Sequence, residues 1–148
     1  ICYNLCMEEY IFLDDIATAD VAIESRGDTL EELFTASAMA TFEVMSDTSS
    51  IQPKIKKTLH LEHSEIDGLL FDWLAEIIYL KDSEFMLFGK YDLKITKDTN
   101  YQLDAEILGE EINQSKHDLR CDVKAITFHL FEVYEKNGKW ISRFILDI

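Results

Sequence analysis

Gly27-Asp28-Thr29-Leu30-Glu31-Glu32-Leu33-Phe34 is where the chain changes period. Ahead of it, Tyr10 to Leu13 and Val21 to Ser25 read as two short strands joined by an acidic turn at Asp14-Asp15. Within it, Asp28 is placed to accept from the amide of Glu31, whose carboxylate can reach back in the reciprocal arrangement that opens many helices. Gly27 permits the tight entry into that helix. Beyond it, Leu30, Leu33, Phe34, Ser37, Ala38, Thr41, Phe42 and Met45 recur at three- and four-residue spacing. That spacing predicts a helix to about Met45 with one apolar face.

Outward from this switch the pattern repeats. Ser46 to Pro53 is a polar loop, and Lys54 to Leu61 alternates Ile55, Lys57, Leu59 and Leu61 against a basic row, as a strand does. Ser64, with Asp67 three residues on, is expected to cap a second helix. Leu69, Leu70, Trp73, Leu74, Ile77, Ile78 and Leu80 make that helix the more apolar of the two, so it is expected to be the more buried. Glu84 to Ile95, Tyr101 to Leu108, Asp122 to Tyr134 and Lys139 to Leu146 read as strands, turned at Asp98-Thr99-Asn100 and at Asn137-Gly138. Asn-Gly between alternating runs is a strong hairpin signal because both residues tolerate positive φ. Glu110 to Leu119 is a polar connection of the kind that often carries function. The order predicts an α+β domain, two helices packed on a mostly antiparallel sheet, in two layers. Residues 10–148 are expected to form this single domain, with 1–9 a loose extension and Met7 the expected biological start.

The 148 residues are 47% hydrophobic and 11% aromatic with a single proline, which argues for a packed core and against disorder. No apolar run approaches the ~20 residues of a membrane helix, and Ile1 to Leu13 lacks the basic front of a signal peptide. Cys2, Cys6 and Cys121 form no CxxC pair, so a reduced, cytoplasmic protein is expected. Lys and Arg number 14 against 29 Asp and Glu, a net charge of -15. Such a surface repels phosphate backbones and excludes tight direct nucleic-acid binding. It favours a basic partner protein, cations, or simple solubility.

The aspartates at strand ends are the most pointed candidates for chemistry. Asp20 lies between apolar runs, and Asp147 closes Trp140 to Leu146. A carboxylate at the end of a buried strand is costly unless something positive pairs with it. Should the fold bring the two together, with the carboxylate of Ile148 beside them, they would make an oxygen-only nest for a hard divalent cation. Other residues offer less. His60 and His63 straddle a strand end and a helix cap and read as surface residues. His129, between Phe128 and Leu130, is expected to be half-buried on one hydrogen bond. His117 suits a mobile contact residue or a group that supports a site from behind its ligands, and equally an ordinary loop histidine. Lys124 reads equally as a buried charge paired with an aspartate or as an outward-facing strand lysine. There is no Gly-x-Ser-x-Gly, no glycine-rich phosphate loop, and no local activator for Cys121 beyond Lys124.

From Tyr10 to Ile148 the chain resembles the archease family, the small acidic accessory proteins of RtcB-type RNA ligases. The resemblance is carried by Thr18-Ala19-Asp20-Val21, by Gly27 to Phe34, by Phe42-Glu43-Val44-Met45, by Asp72-Trp73-Leu74 and by Gly109-Glu110. Lys116-His117, Val123-Lys124-Ala125-Ile126-Thr127-Phe128-His129 and the terminal Ile145-Leu146-Asp147-Ile148 complete it. It implies a divalent ion, calcium in the family and magnesium or manganese by the same chemistry, held by Asp20, Asp147 and Ile148. It implies no enzymatic activity of the chain's own. The expected role is to activate an RtcB-type ligase in tRNA splicing by promoting its guanylylation and further turnovers, as a monomer. One departure stands out: Ala17 occupies the place of a family histidine, with Asp14 and Asp15 as the nearest compensating groups. Two other readings stay open, a metal-dependent hydrolase using the same carboxylates with His117 or His129 as base, and a chaperone-like modulator of a tRNA-modifying enzyme.

Overall fold

The computed structural model describes residues 9–13 and 20–148. The expected extension with Cys2, Cys6 and Met7, and the turn with Asp14, Asp15 and Ala17, lie outside the described residues. The elements run β1 (Glu9–Phe12), β2 (Asp20–Gly27), α1 (Leu30–Met45), a single 3-10 turn (Thr48–Ser50), β3 (Ile55–His63) and α2 (Ile66–Glu84). They continue through β4 (Met86–Lys97), β5 (Tyr101–Glu111), β6 (Ala125–Lys136) and β7 (Lys139–Asp147). The α+β class holds, with the strands divided between two sheets, β1-β2-β7-β6 and β3-β5-β4, every pair antiparallel. Both helices touch both sheets: α1 packs on β1, β2, β7 and β4, and α2 on β6, β3, β4 and β5. Buried apolar residues of β2, α1, α2, β4, β5, β6 and β7 join in one core, with partly buried residues of β1 and β3 packed against it.

The start of α1 lies one residue later than the spacing predicts. Thr29 is the cap: its hydroxyl accepts from the Glu32 amide at 3.1 Å, and the Glu32 carboxylate reaches back to the amides of Thr29 at 3.3 Å and Asp28 at 2.7 Å. The Asp28 carboxylate is drawn instead to Lys139, 2.9 Å away on β7. Glu31 is likewise spent elsewhere, accepting the Ile95 amide of the edge strand β4 at 3.0 Å. Gly27 is required at the entry, since a Cβ there would lie 2.6 Å from the Leu33 nitrogen. The second cap is also revised. Glu65, not Ser64, is the capping residue of α2 and offers no side-chain bond. His63 partly compensates, its Nδ1 accepting the Glu65 amide at 3.0 Å.

The order of burial between the helices is the reverse of the expectation. Nine of the 16 residues of α1 are buried against seven of the 19 in α2. The cause is size. Ala36, Ala38, Ala40 and Ser37 present so little bulk that strands can approach α1 on several sides, while α2 leaves Tyr79, Asp82 and Ser83 in solvent. The helices are tied by the Trp73 indole, fully buried, which donates to the Phe34 carbonyl at 3.0 Å. Of the described residues, no helix is long and apolar enough to cross a membrane.

Sheet β3-β5-β4 depends on one glycine. Gly109 of β5 sits opposite Phe88 where the register with β4 shifts, and a Cβ there would overlap the Leu87 carbonyl oxygen. The clash is with backbone, which cannot swing aside. Gly109→Ala is expected to cost about 2–3 kcal/mol of stability by overpacking, read as a lowered urea midpoint; a midpoint equal to the parent's would show that the strands give way freely.

Candidate metal centre and its supports

β2 opens on Asp20, β7 closes on Asp147, and the register sets these two directly opposite. Opposed residues of an antiparallel pair send their side chains to one face, with Cβ atoms about 4.5–5.5 Å apart. Two half-buried carboxylates therefore share one end of the sheet, and among the described residues neither has a side-chain hydrogen bond or ion pair. Like charges in that position repel. β6 closes the other flank: Ala125 is opposite Asp147, and the Lys124 amide donates to the Asp147 carbonyl at 2.8 Å. Ile148 is half-buried and packs against the core. The Lys124 side chain is exposed, so the outward-facing alternative holds for it.

As a donor set, the pair offers two carboxylates and main-chain oxygens. That chemistry suits a hard divalent cation and not zinc or copper, which favour nitrogen and sulfur. No group of three or more His, Cys, Asp or Glu among the described residues is placed to hold a metal. Asp20 and Asp147 thus stand as two candidate ligands opposed at one end of the sheet.

The polar connection behind this tip is pinned along its length. Glu110, at the end of β5, is buried and accepts from Lys116 Nζ at 2.7 and 2.8 Å, from the Gln52 amide at 2.8 Å and from His117 Nε2 at 3.0 Å. His117 Nδ1 in turn accepts the Asn113 amide at 2.9 Å, which leaves the ring proton on Nε2, facing Glu110. Burial pushes the Glu110 carboxyl up, but the lysine, amide and histidine donors outweigh it and hold the group down at about 2. Further along, the Arg120 amide donates to the Met45 carbonyl at 2.8 Å. Next to it the buried Lys81 ammonium binds Asp122 and, at 2.9 Å, the Val123 carbonyl. The connection delivers Lys124 and Ala125 to the side of Asp147 with little freedom.

These supports were only partly readable. His117 is buried and bonded to Asn113 and Glu110, which fits the supporting alternative and not the mobile contact. Gly109-Glu110 and Lys116-His117 stand out in the sequence, but nothing in it links them. The buried lysine is Lys81, and its signal was its place four residues after Ile77 on the apolar face of α2. His129 is exposed, because the β6–β7 register shifts between Thr127 and Glu132 and the strand no longer alternates there. His60 is exposed on Asp104 at 2.8 Å, as a surface histidine.

Comparison with known proteins gives the family. The archease protein family (MTH1598/TM1083) matches residues 10–148. The chain belongs to the archease family. It is 40% identical over 133 residues to an archease of Pyrobaculum neutrophilum, covering 88% of this chain and 90% of the relative. To that of Methanothermobacter thermautotrophicus it is 38% identical over 143 residues, covering 96% of this chain and 100% of the relative. The solution structure of Methanobacterium thermoautotrophicum protein 1598 superposes with a TM-score of 0.83 at 38% identity, over 94% of this chain and 98% of that one. A crystal structure from Thermotoga maritima, described as an archease and possible chaperone, shares the fold at a TM-score of 0.61 and 19% identity, over 89% of this chain and 93% of that one.

The Glu110 cluster gives a pH dependence. Its carboxyl lies below the ordinary 4.5, so its contribution to stability is complete above about pH 4.5 and is lost as the pH falls toward about 2. Glu110→Gln is expected to cost about 1–3 kcal/mol at neutral pH and to flatten the stability profile across that acid window. Urea denaturation at pH 7 and pH 3 measures both; parallel losses in parent and variant would remove Glu110 as the cause.

Proposed function

We propose that this archease is a metal-binding activator of an RtcB-type RNA ligase in cytoplasmic tRNA splicing, promoting the ligase's guanylylation and its multiple turnover. The observation that carries the reading is the opposed, otherwise unpaired Asp20–Asp147 couple in a family of accessory proteins. Asp20 and Asp147 would hold a divalent cation with a main-chain oxygen of Ile148; calcium is the ion the family resemblance implies, and magnesium or manganese suit the same oxygens. When bound, the ion supplies positive charge to nucleotide or phosphate oxygens. Calcium takes about six to eight oxygens, more than Asp20 and Asp147 supply, and the others would come from water, from the rest of the chain or from the partner. The chain's part is to position: β7 and β6 fix Asp147, β2 fixes Asp20, and the net charge of -15 turns RNA away while favouring a basic protein face.

A hydrolase would need a base beside the carboxylates. His117 spends both ring nitrogens on Asn113 and Glu110, and His129 stands exposed on the irregular stretch of β6, so neither favours that reading.

Asp20→Ala and Asp147→Ala are expected to remove the stimulation of multiple-turnover ligation by the purified ligase while the proteins stay folded by circular dichroism. Calcium should raise the melting temperature of the parent and not of either variant. Full stimulation by both folded variants would sink the assignment of the tip.

A further inference from the structure

The surface between α2 and β6 gathers exposed apolar side chains and an irregular backbone in one place. Phe128 is 71% exposed and Leu130 57% exposed, on an edge strand, in an acidic protein. Leu130 has φ 55, a left-handed conformation that a bulky side chain adopts only at a cost. The register with β7 shifts across the same residues, between Thr127 and Glu132. The consequence is that Phe128 turns out of the sheet and lies flat on Phe71 of α2, ring centroids 3.7 Å apart and planes within 6°, with Phe131 edge-on to Phe71 at 5.6 Å. Backbone strain is thus spent on presenting an aromatic face to solvent.

Two shallow cavities of about 280 and 290 Å³ flank Phe71. The first is walled by Phe71, Phe128 and Phe131 and rimmed by Glu65, Asp67 and Asp72, with no lysine or arginine in its lining. Glu65 and Asp72 have no side-chain hydrogen bond or ion pair among the described residues. The second runs along α2 past Tyr79 to Lys124 and Ala125, and Ala125 is opposite Asp147. An aromatic floor with three carboxylates on its rim matches an apolar side chain flanked by lysine or arginine. A symmetric second copy would set those same carboxylates against each other, and a nucleic-acid backbone would meet only negative charge.

We propose that the cleft between α2 and β6 is a docking site for an apolar–basic segment of the partner protein, anchored on Phe128 and Phe71. The proposal rests on the ligase-activator reading above and extends its contact surface away from the Asp20–Asp147 tip. The experiment is a titration of the purified RtcB-type ligase against the parent protein, Phe128→Ser, the double variant Glu65→Lys/Asp72→Lys, and Asp147→Ala, each checked for folding by circular dichroism. The cleft variants are expected to weaken binding about tenfold or more, the scale of a buried aromatic anchor. Affinity of the parent should fall with added salt, and that of the charge-reversed protein should not. Parent-like affinity for both cleft variants, with binding lost in Asp147→Ala, would overturn the cleft and leave the activator reading intact. No binding by the parent would overturn both. A dimer of the parent that Phe128→Ser dissolves would give the surface to a second copy and overturn the proposal as well.

Discussion

The β2–β7 ladder is the constraint on which the rest depends. It pairs Asp20 through Gly27 with Asp147 back to Trp140, joining residues more than a hundred positions apart in sequence. Its register is set on the inner face, where Ile23 meets Phe144 and Val21 meets Leu146, three of them almost wholly buried. A slip of one residue would turn Ile23, Phe144 and Leu146 toward the other face of the sheet, which costs far more than the repulsion between two half-exposed carboxylates. The apolar core thus forces Asp20 and Asp147 together. The acidic tip does not hold itself; packing imposes it.

Elsewhere the fold never leaves a buried charge alone. Glu24, nearly inaccessible on the same pair of strands, receives Arg26 at 2.7 Å and Arg143 at 2.9 Å. Burial raises its carboxyl, and the two guanidiniums more than reverse that. Lys81 has Asp122, and Glu110 has Lys116 and His117. Each of these anchors ties separate segments, as breaking a buried pair is costly even where forming it gains little. Against that pattern, an Asp20–Asp147 couple with no cation among the described residues is an exception with a location, at the end of the most constrained ladder.

The elements were legible where a period ran long. α1 to Met45, the Asn137-Gly138 turn with both residues at positive φ, and the hairpin strands follow from spacing and turn chemistry alone. The first cap differs by one residue because Asp28-x-x-Glu31 and Thr29-x-x-Glu32 are both local candidates, and the structure uses the second, with Glu31 turned to the Ile95 amide. The division into two sheets was hidden because alternation says which face is buried and not which strand lies alongside. His129 was misread because alternation fails at a bulge, and nothing in Phe128-His129-Leu130-Phe131 announces one. For the tip, sequence marked both aspartates as costly, but only the ladder shows that they face each other.

The physical form of the tip argues for a cation that is shared, not stored. A cage that keeps calcium supplies most of its oxygens from one flexible loop and tightens around the ion. Here Asp147 stands on a strand whose backbone is held from both sides, by β2 and by β6, and Asp20 on the neighbouring β2, so these two backbones cannot close over an ion as a loop does. On the proposed reading, an ion held by them would take further ligands, including one presented by another protein at the moment of contact. Rigid donors also lose little entropy on binding, which keeps the geometry they offer constant from one encounter to the next. The same β6 that braces Asp147 carries the strained Leu130 a few residues on, so the strand that holds the tip still also aims the aromatic surface beside it.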